Sequence, residues 1–319
     1  MDKVSDLIAS LAESETLAMS QRSNELKAKG IDVINLSVGE PDFTTPKHIK
    51  EAAKKAIDDN FSFYTPVPGY LSLREAVCKK LKDENGLDYT PNQIVCSNGA
   101  KQAVCNALLA VVDPNNEVIL PAPCWVSYIE MVKLTRGKPV VIRTTIDSNF
   151  KITPQQLEEA INEKTRAIVL CSPSNPTGSI YSKEELAALA EVLERHPNII
   201  IISDEIYEHI NYVGKHESIA QFPALKDRTV IVNGVSKAYA MTGWRLGWMA
   251  APLWIAKACG KLQGQYTSGC SSIAQKAAEA AYKADNKCVE DMRVVFERRK
   301  NLIVKLASTI EGFKIREPQ

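Results

Sequence analysis

The sequence predicts an α/β fold: a mainly parallel sheet sandwiched by helices, followed by the start of a smaller α+β domain that is cut short. Three observations predict it. Short β-branched runs at 93–96, 117–121, 138–143, 166–171, 199–203 and 229–233 alternate with helical patterns near 100–112, 124–135, 154–162 and 183–195. Those runs are apolar almost throughout, as strands buried on both faces are, whereas half-exposed strands alternate. Leu246-Gly247-Trp248-Met249-Ala250 adds a seventh strand of undecided direction, after which long helical patterns at 272–284 and 286–308 replace the alternation.

In chain order, residues 16–29 read as an amphipathic helix stopped by Gly30. Val33-Ile34-Asn35-Leu36 reads as a short strand leading into Gly39-Glu40-Pro41-Asp42-Phe43, a turn-rich loop. The alternating region begins near residue 46 and ends near 285. A second domain is expected to begin at 286, where Gly312-Phe313-Lys314-Ile315 looks like the start of a strand with nothing after it to pair with. No internal repeat or low-complexity linker interrupts the chain.

Composition narrows the function classes. With 319 residues, 45% hydrophobic and 24% charged, the chain can bury a large core. Thirty-nine basic and 38 acidic residues are spread evenly, so no basic face for nucleic acid and no anionic-membrane anchor stands out. No apolar run is long enough to span a bilayer, and the polar N-terminus makes the cytoplasm the expected location. The eight cysteines, at 78, 96, 105, 124, 171, 259, 270 and 288, show no zinc or redox spacing and read as reduced thiols. Histidines 48, 196, 209 and 216 fall into no ligand spacing, so no metal is expected. Dinucleotide and P-loop fingerprints are both missing.

Ligands of open α/β sheets bind beyond the carboxyl ends of the strands. Four such ends here carry unusual polar groups: Ser97-Asn98-Gly99-Ala100-Lys101, Ser172-Pro173-Ser174-Asn175-Pro176-Thr177-Gly178, Asp204-Glu205-Ile206-Tyr207, and Gly234-Val235-Ser236-Lys237 with Arg245. The set suits a phosphorylated heteroaromatic cation. A helix opening at Gly99 and Ala100 offers free amides to a phosphate, and Arg245 can add a bidentate contact. Asp204 at the end of an apolar strand calls for a cationic partner, for which a protonated pyridine nitrogen is one candidate. Lys237 among small and apolar residues can lose its proton and act as a nucleophile. Each feature alone has a plainer explanation: a helix cap, a solvated lysine, an ordinary turn, a core tryptophan at 125. Their placement on neighbouring strand ends favours the joint reading.

The segment Gly234-Val235-Ser236-Lys237-Ala238-Tyr239-Ala240-Met241-Thr242-Gly243-Trp244-Arg245-Leu246-Gly247 resembles the cofactor-attachment pattern of class I, fold-type I aminotransferases, above all the bacterial-type aspartate aminotransferase subgroup. Gly39–Phe43, Tyr64-Thr65-Pro66, Pro121-Ala122-Pro123-Cys124-Trp125 and Ser203–Tyr207 carry the resemblance from about residue 15 onward. It implies pyridoxal 5′-phosphate held as a Schiff base by Lys237, which would also move the substrate's proton. Asp204 would pair with the ring nitrogen, Tyr207 and Asn175 would bind the phenolic oxygen, and Trp125 would stack on the ring. The amides of Gly99, Ala100 and Lys101, with Ser236 and Arg245, would hold the phosphate; Tyr64 would reach it from a second copy, implying a homodimer with shared sites. Gly39, Trp125 and Asn175 would meet the substrate α-carboxylate, and Lys101 the distal carboxylate of aspartate or glutamate, with a 2-oxo acid as the acceptor. Residues 1–45 would be an arm belonging to the small domain and dimer contact, 46–285 the large domain, and 286–319 the start of a truncated small domain.

The resemblance also implies an absence: the family's main substrate-carboxylate arginine lies beyond residue 319, and no residue here takes that role. Prephenate as substrate, a lyase on the same scaffold, and a catalytically impaired cofactor-binding chain therefore remain alternatives to acidic amino acids.

Overall fold

The computed structural model describes residues 4–13 and 15–319. Its strands are β1 (Ile94–Ser97), β2 (Glu117–Ala122), β3 (Lys138–Arg143), β4 (Thr165–Cys171), β5 (Ile200–Asp204), β6 (Thr229–Gly234) and β7 (Gly247–Ala250). They form one seven-stranded sheet in the order β1-β7-β6-β5-β4-β2-β3. Pairs among β2 to β6 are parallel, while β7 runs antiparallel to both β1 and β6. The direction left open by the sequence follows from the link: between β6 and β7 lies only a 3-10 turn, Thr242–Trp244, and no crossover helix. A parallel return usually needs such a helix, so here the chain doubles back.

Both faces of the sheet's central strands are covered, which is why those strands read as nearly unbroken apolar runs. On β4, Val169 packs with Val104, Leu108 and Val232 on one face, while Ile168 and Leu170 pack with Leu157, Leu186 and Leu189 on the other. A third cluster gathers Leu73, Val77 and Ala277 around fully buried Trp248. Helix starts are locally specified, as at Ser182, whose hydroxyl accepts from the Glu185 amide while the Glu185 carboxylate accepts from the Ser182 amide.

Three expectations need correction. The 16–29 helix forms, as Glu15–Ala28, but between residues 18 and 28 only Ser23 is buried, so no apolar stripe docks. Residues 31–36 form no strand; Ile34 is 84% and Leu36 89% exposed. Gly312–Ile315 is not a strand either. The reason is common to both: a strand requires a hydrogen-bonding neighbour, and among the described residues neither segment has one.

Candidate active site

Parallel strands β4, β5 and β6 end on the same side of the sheet, and their exits place Asn175, Asp204, Tyr207, Ser236 and Lys237 around a cavity of about 530 Å³. The helix after β1, Ala100–Val111, contributes Ala100 and Lys101; the loop between the Glu15–Ala28 and Lys47–Asp58 helices contributes Gly39. Trp125 and Arg245 also line it. The fold thus brings together the expected residues except two. Gly99 sits just behind the wall as the helix N-cap, at φ +84°. Tyr64 is 98% exposed and does not reach the cavity of its own chain.

Glycine is required at two of these positions. A Cβ on Gly99 would overlap the Arg245 guanidinium, and one on Gly247 would overlap the Ala100 amide nitrogen. Their absence lets β7 press against the helix start, leaving Arg245 beside its free amides. Arg245 donates to Thr242 O at 2.9 Å and to Asn98 O at 3.2 Å, which fixes the guanidinium there.

Electrostatics set the chemistry. Asp204 is 4% exposed, and among the described residues it has no ion-pair partner. Its carboxylate accepts from Tyr128 Oη at 2.6 Å and from the Ile206 amide at 3.3 Å. Burial pushes its pKa up to about 6, with those two hydrogen bonds pulling the other way. Lys237 Nζ donates to Gly39 O at 2.5 Å and lies 5.5 Å from the Tyr207 ring centroid. Burial holds its pKa below that of a free lysine, opposed by Glu40 and Asp204. Asn175 Nδ2 donates to Tyr207 Oη at 3.4 Å, so the two expected phenolate ligands stand together. Lys101 Nζ sits 5.0 Å from the Trp125 ring centroid, its pKa lowered by burial and by Arg245.

Sequence reasoning missed several groups here. Tyr128, buried with its ring edge-on to Trp125 at 5.4 Å between centroids, was signalled only by standing three residues after Trp125, at the start of the Ser127–Leu134 helix. Glu40 accepts from Thr242 Oγ1 at 2.9 Å at the cavity edge, and Phe296 reaches the cavity from the Lys287–Ala307 helix. Histidine spacing also hid two clusters: Glu84, Glu208 and His209, and Glu205, Glu208 and His216, each with ligand atoms within 4.8 Å. Glu208, common to both, is already paired with Lys80 and accepts from Asn85 and Asn233. A cation there would have to compete with the lysine.

Residues 31–319 match the family described as aminotransferase class I and II. The chain belongs to that family. It is 49% identical to a bifunctional aspartate aminotransferase and glutamate/aspartate-prephenate aminotransferase of Petunia hybrida, over all of this chain and 69% of the relative. It is 47% identical to an aspartate aminotransferase of Pinus pinaster, over 99% of this chain and 65% of the relative. The crystal structure of an aspartate aminotransferase from Rhizobium meliloti superposes with a TM-score of 0.97 at 42% identity, covering all of this chain and 80% of that one. The chain thus spans about two thirds of the plant relatives' length. As in other aminotransferases of this family, the cofactor is pyridoxal phosphate, and the residues fit it. A buried carboxylate lacking a cation suits the ring nitrogen, and a 12-residue helix start beside Arg245 suits the phosphate. A Lys237 whose pKa is lowered by burial suits the aldehyde.

Proposed function

We propose that this aminotransferase moves the α-amino group of aspartate or glutamate to a 2-oxo acid. The observation that carries the reading is a single cavity containing a lysine of depressed pKa and a buried carboxylate without a cation. Bound pyridoxal phosphate supplies an electron sink for the bonds at the substrate Cα. Asp204 would hold the proton on the ring nitrogen, and the amides of Gly99, Ala100 and Lys101 with Ser236 and Arg245 would anchor the phosphate. Asn175 and Tyr207 donate to the phenolic oxygen, while Trp125 fixes the ring plane. Lys237, in the same cavity, would serve as the base for the substrate Cα proton. Gly39, Trp125 and Asn175 meet the α-carboxylate, and Lys101 meets the distal one.

The wider assignments are part of the same reading. Residues 46–285 form the cofactor-binding domain, residues 1–45 an arm, and 286–319 belong to a smaller domain. Exposed Leu302, Ile303, Leu306 and Phe313 on and after the Lys287–Ala307 helix support that last assignment. Exposed Ile34, Leu36, Phe63 and Tyr64 support a homodimer in which Tyr64 serves the other copy's site. Among the described residues no helix is long and apolar enough to cross a membrane, and no cysteine is paired, in keeping with a cytoplasmic enzyme.

Purified protein with pyridoxal phosphate should be yellow, lose that band with aspartate and regain it with 2-oxoglutarate. Borohydride reduction followed by peptide mapping should place the cofactor on Lys237. Label on another lysine, or colour indifferent to every amino acid, would refute the proposal. Prephenate stands as a second acceptor because the names of several relatives include it; competition between prephenate and 2-oxoglutarate measures its share.

A further inference from the structure

Tyr128 is the group most closely bound to the chemistry yet given no task above. We infer that Tyr128 is a positioning residue: its hydroxyl holds Asp204 ionised and aimed so that one carboxylate oxygen stays free for the ring nitrogen of the cofactor. The inference rests on the cofactor assignment and adds a residue to it.

The geometry carries the argument. Tyr128 is 2% exposed, and its hydroxyl donates to Asp204 Oδ2 at 2.6 Å. This is the short distance expected when the acceptor is charged. Among the described residues the only other hydrogen bond to this carboxylate comes from the Ile206 amide to Oδ1, at 3.3 Å, longer and weaker. Of the two anchors, the tyrosine therefore fixes the rotamer. It can do so because its own position is fixed twice: Trp125 meets its ring edge-on, and Met131 and Val132 of the same short helix are buried with it. A buried hydroxyl that donates to an anion favours the ionised form, whereas burial alone favours the acid. The structure thus sets one hydroxyl against the desolvation of Asp204, at a place where no lysine or arginine does so directly. Lys237, whose charge also favours the anion, donates its hydrogen bond instead to Gly39 O.

A packing role and a positioning role predict different ligand responses, so the test is a two-by-two comparison. Cofactor-free wild-type and Tyr128→Phe proteins are titrated with pyridoxal phosphate and with its 1-deaza analogue, in which a carbon replaces the ring nitrogen. Quenching of tryptophan fluorescence reads the dissociation constants. Phenylalanine keeps the ring and removes only the hydroxyl. Tyr128→Phe should weaken pyridoxal phosphate about tenfold, the scale of one charged hydrogen bond, and leave the deaza analogue within about twofold of wild type. Adding Tyr128→Phe to Asp204→Asn should cost nothing further for either ligand. Equal losses for both ligands would show that the tyrosine merely packs, and no loss for either would show an idle hydroxyl; both results overturn the inference. Failure of wild-type protein to bind pyridoxal phosphate would instead strike the cofactor reading itself.

Discussion

Replacing Lys80 with methionine removes a positive charge without leaving a large hole. Its side chain is 2% exposed and is paired with Glu208, whose side chain is 4% exposed; Glu84 lies 3.5 Å away. The pair joins the Leu71–Asn85 helix to the loop that follows β5, one residue beyond Tyr207. Glu208 keeps two amide donors, Asn233 at 2.8 Å and Asn85 at 3.0 Å, but loses its one buried lysine. Stranding one member of a buried ion pair costs about 3–5 kcal/mol, and the surviving amides place Lys80→Met near the lower end of that range.

The pH dependence makes this prediction specific. In the wild type burial opposes ionisation of Glu208, but Lys80, then His209 and His216, overcome it and hold the carboxyl well below the usual range. A depressed carboxyl contributes stability above its unfolded pKa and loses it only as pH falls through the folded value. Without Lys80, burial wins and the folded pKa rises above the unfolded one. The sign then reverses: stability falls as pH rises past the ordinary carboxylate pKa, and falls further as His216 loses its proton. Urea unfolding near pH 5 and near pH 8 should show a deficit of about 3 kcal/mol at the higher pH and a clearly smaller one at the lower. Adding Glu208→Gln should restore most of it. A deficit below about 1 kcal/mol at pH 8, or one independent of pH, would refute the account of this pair.

Two further outcomes follow from the cavity. In the cofactor-free protein the carboxyl of Asp204, raised from 3.8 to about 6, favours folding below the lower value and loses that contribution as pH climbs to the upper one. Asp204→Asn should therefore be more stable than wild type at pH 8, by up to ~3 kcal/mol, and no more stable near pH 4. Denaturant curves check this, and a less stable variant at pH 8 would contradict it. Lys101→Gln should raise KM for aspartate about tenfold, the loss of one charged hydrogen bond, while barely changing KM for alanine; equal changes for both would remove Lys101 from distal-carboxylate recognition.

Strands and their ends were legible because burial on both faces leaves a continuous apolar signature, seen in Ile168-Val169-Leu170 splitting between two cores. The same patterning marked where polar residues leave the sheet, hence Asn175, Asp204 and Lys237. Segments whose conformation depends on a distant neighbour were misread. Val33–Leu36 has strand composition but no ladder partner among the described residues, and composition alone does not supply one. Tyr128 escaped because a tyrosine on a short helix reads as core until Asp204, 76 residues away, is seen beside its hydroxyl. The Lys80–Glu208 cluster was hidden likewise, its members being drawn from the Leu71–Asn85 helix and the loop after β5.

The loop leaving β5 places three buried carboxylates within five residues, at 204, 205 and 208. Two are answered from within the protein. Glu208 has Lys80, and Glu205 has His216 at 2.9 Å together with the hydroxyls of Ser203 and Ser218. Asp204 has only neutral donors, and its pKa rises where that of Glu208 falls. Burying an uncompensated anion costs several kcal/mol, and that cost falls on the folded protein whenever the cavity holds no cation. The neighbouring carboxylates show that this fold has room for protein cations at such positions. A ligand bearing its own positive charge gains the whole of the missing compensation on binding, and one without it gains none. The unpaired aspartate therefore discriminates for a protonated heterocycle through a free-energy difference already present in the cofactor-free fold.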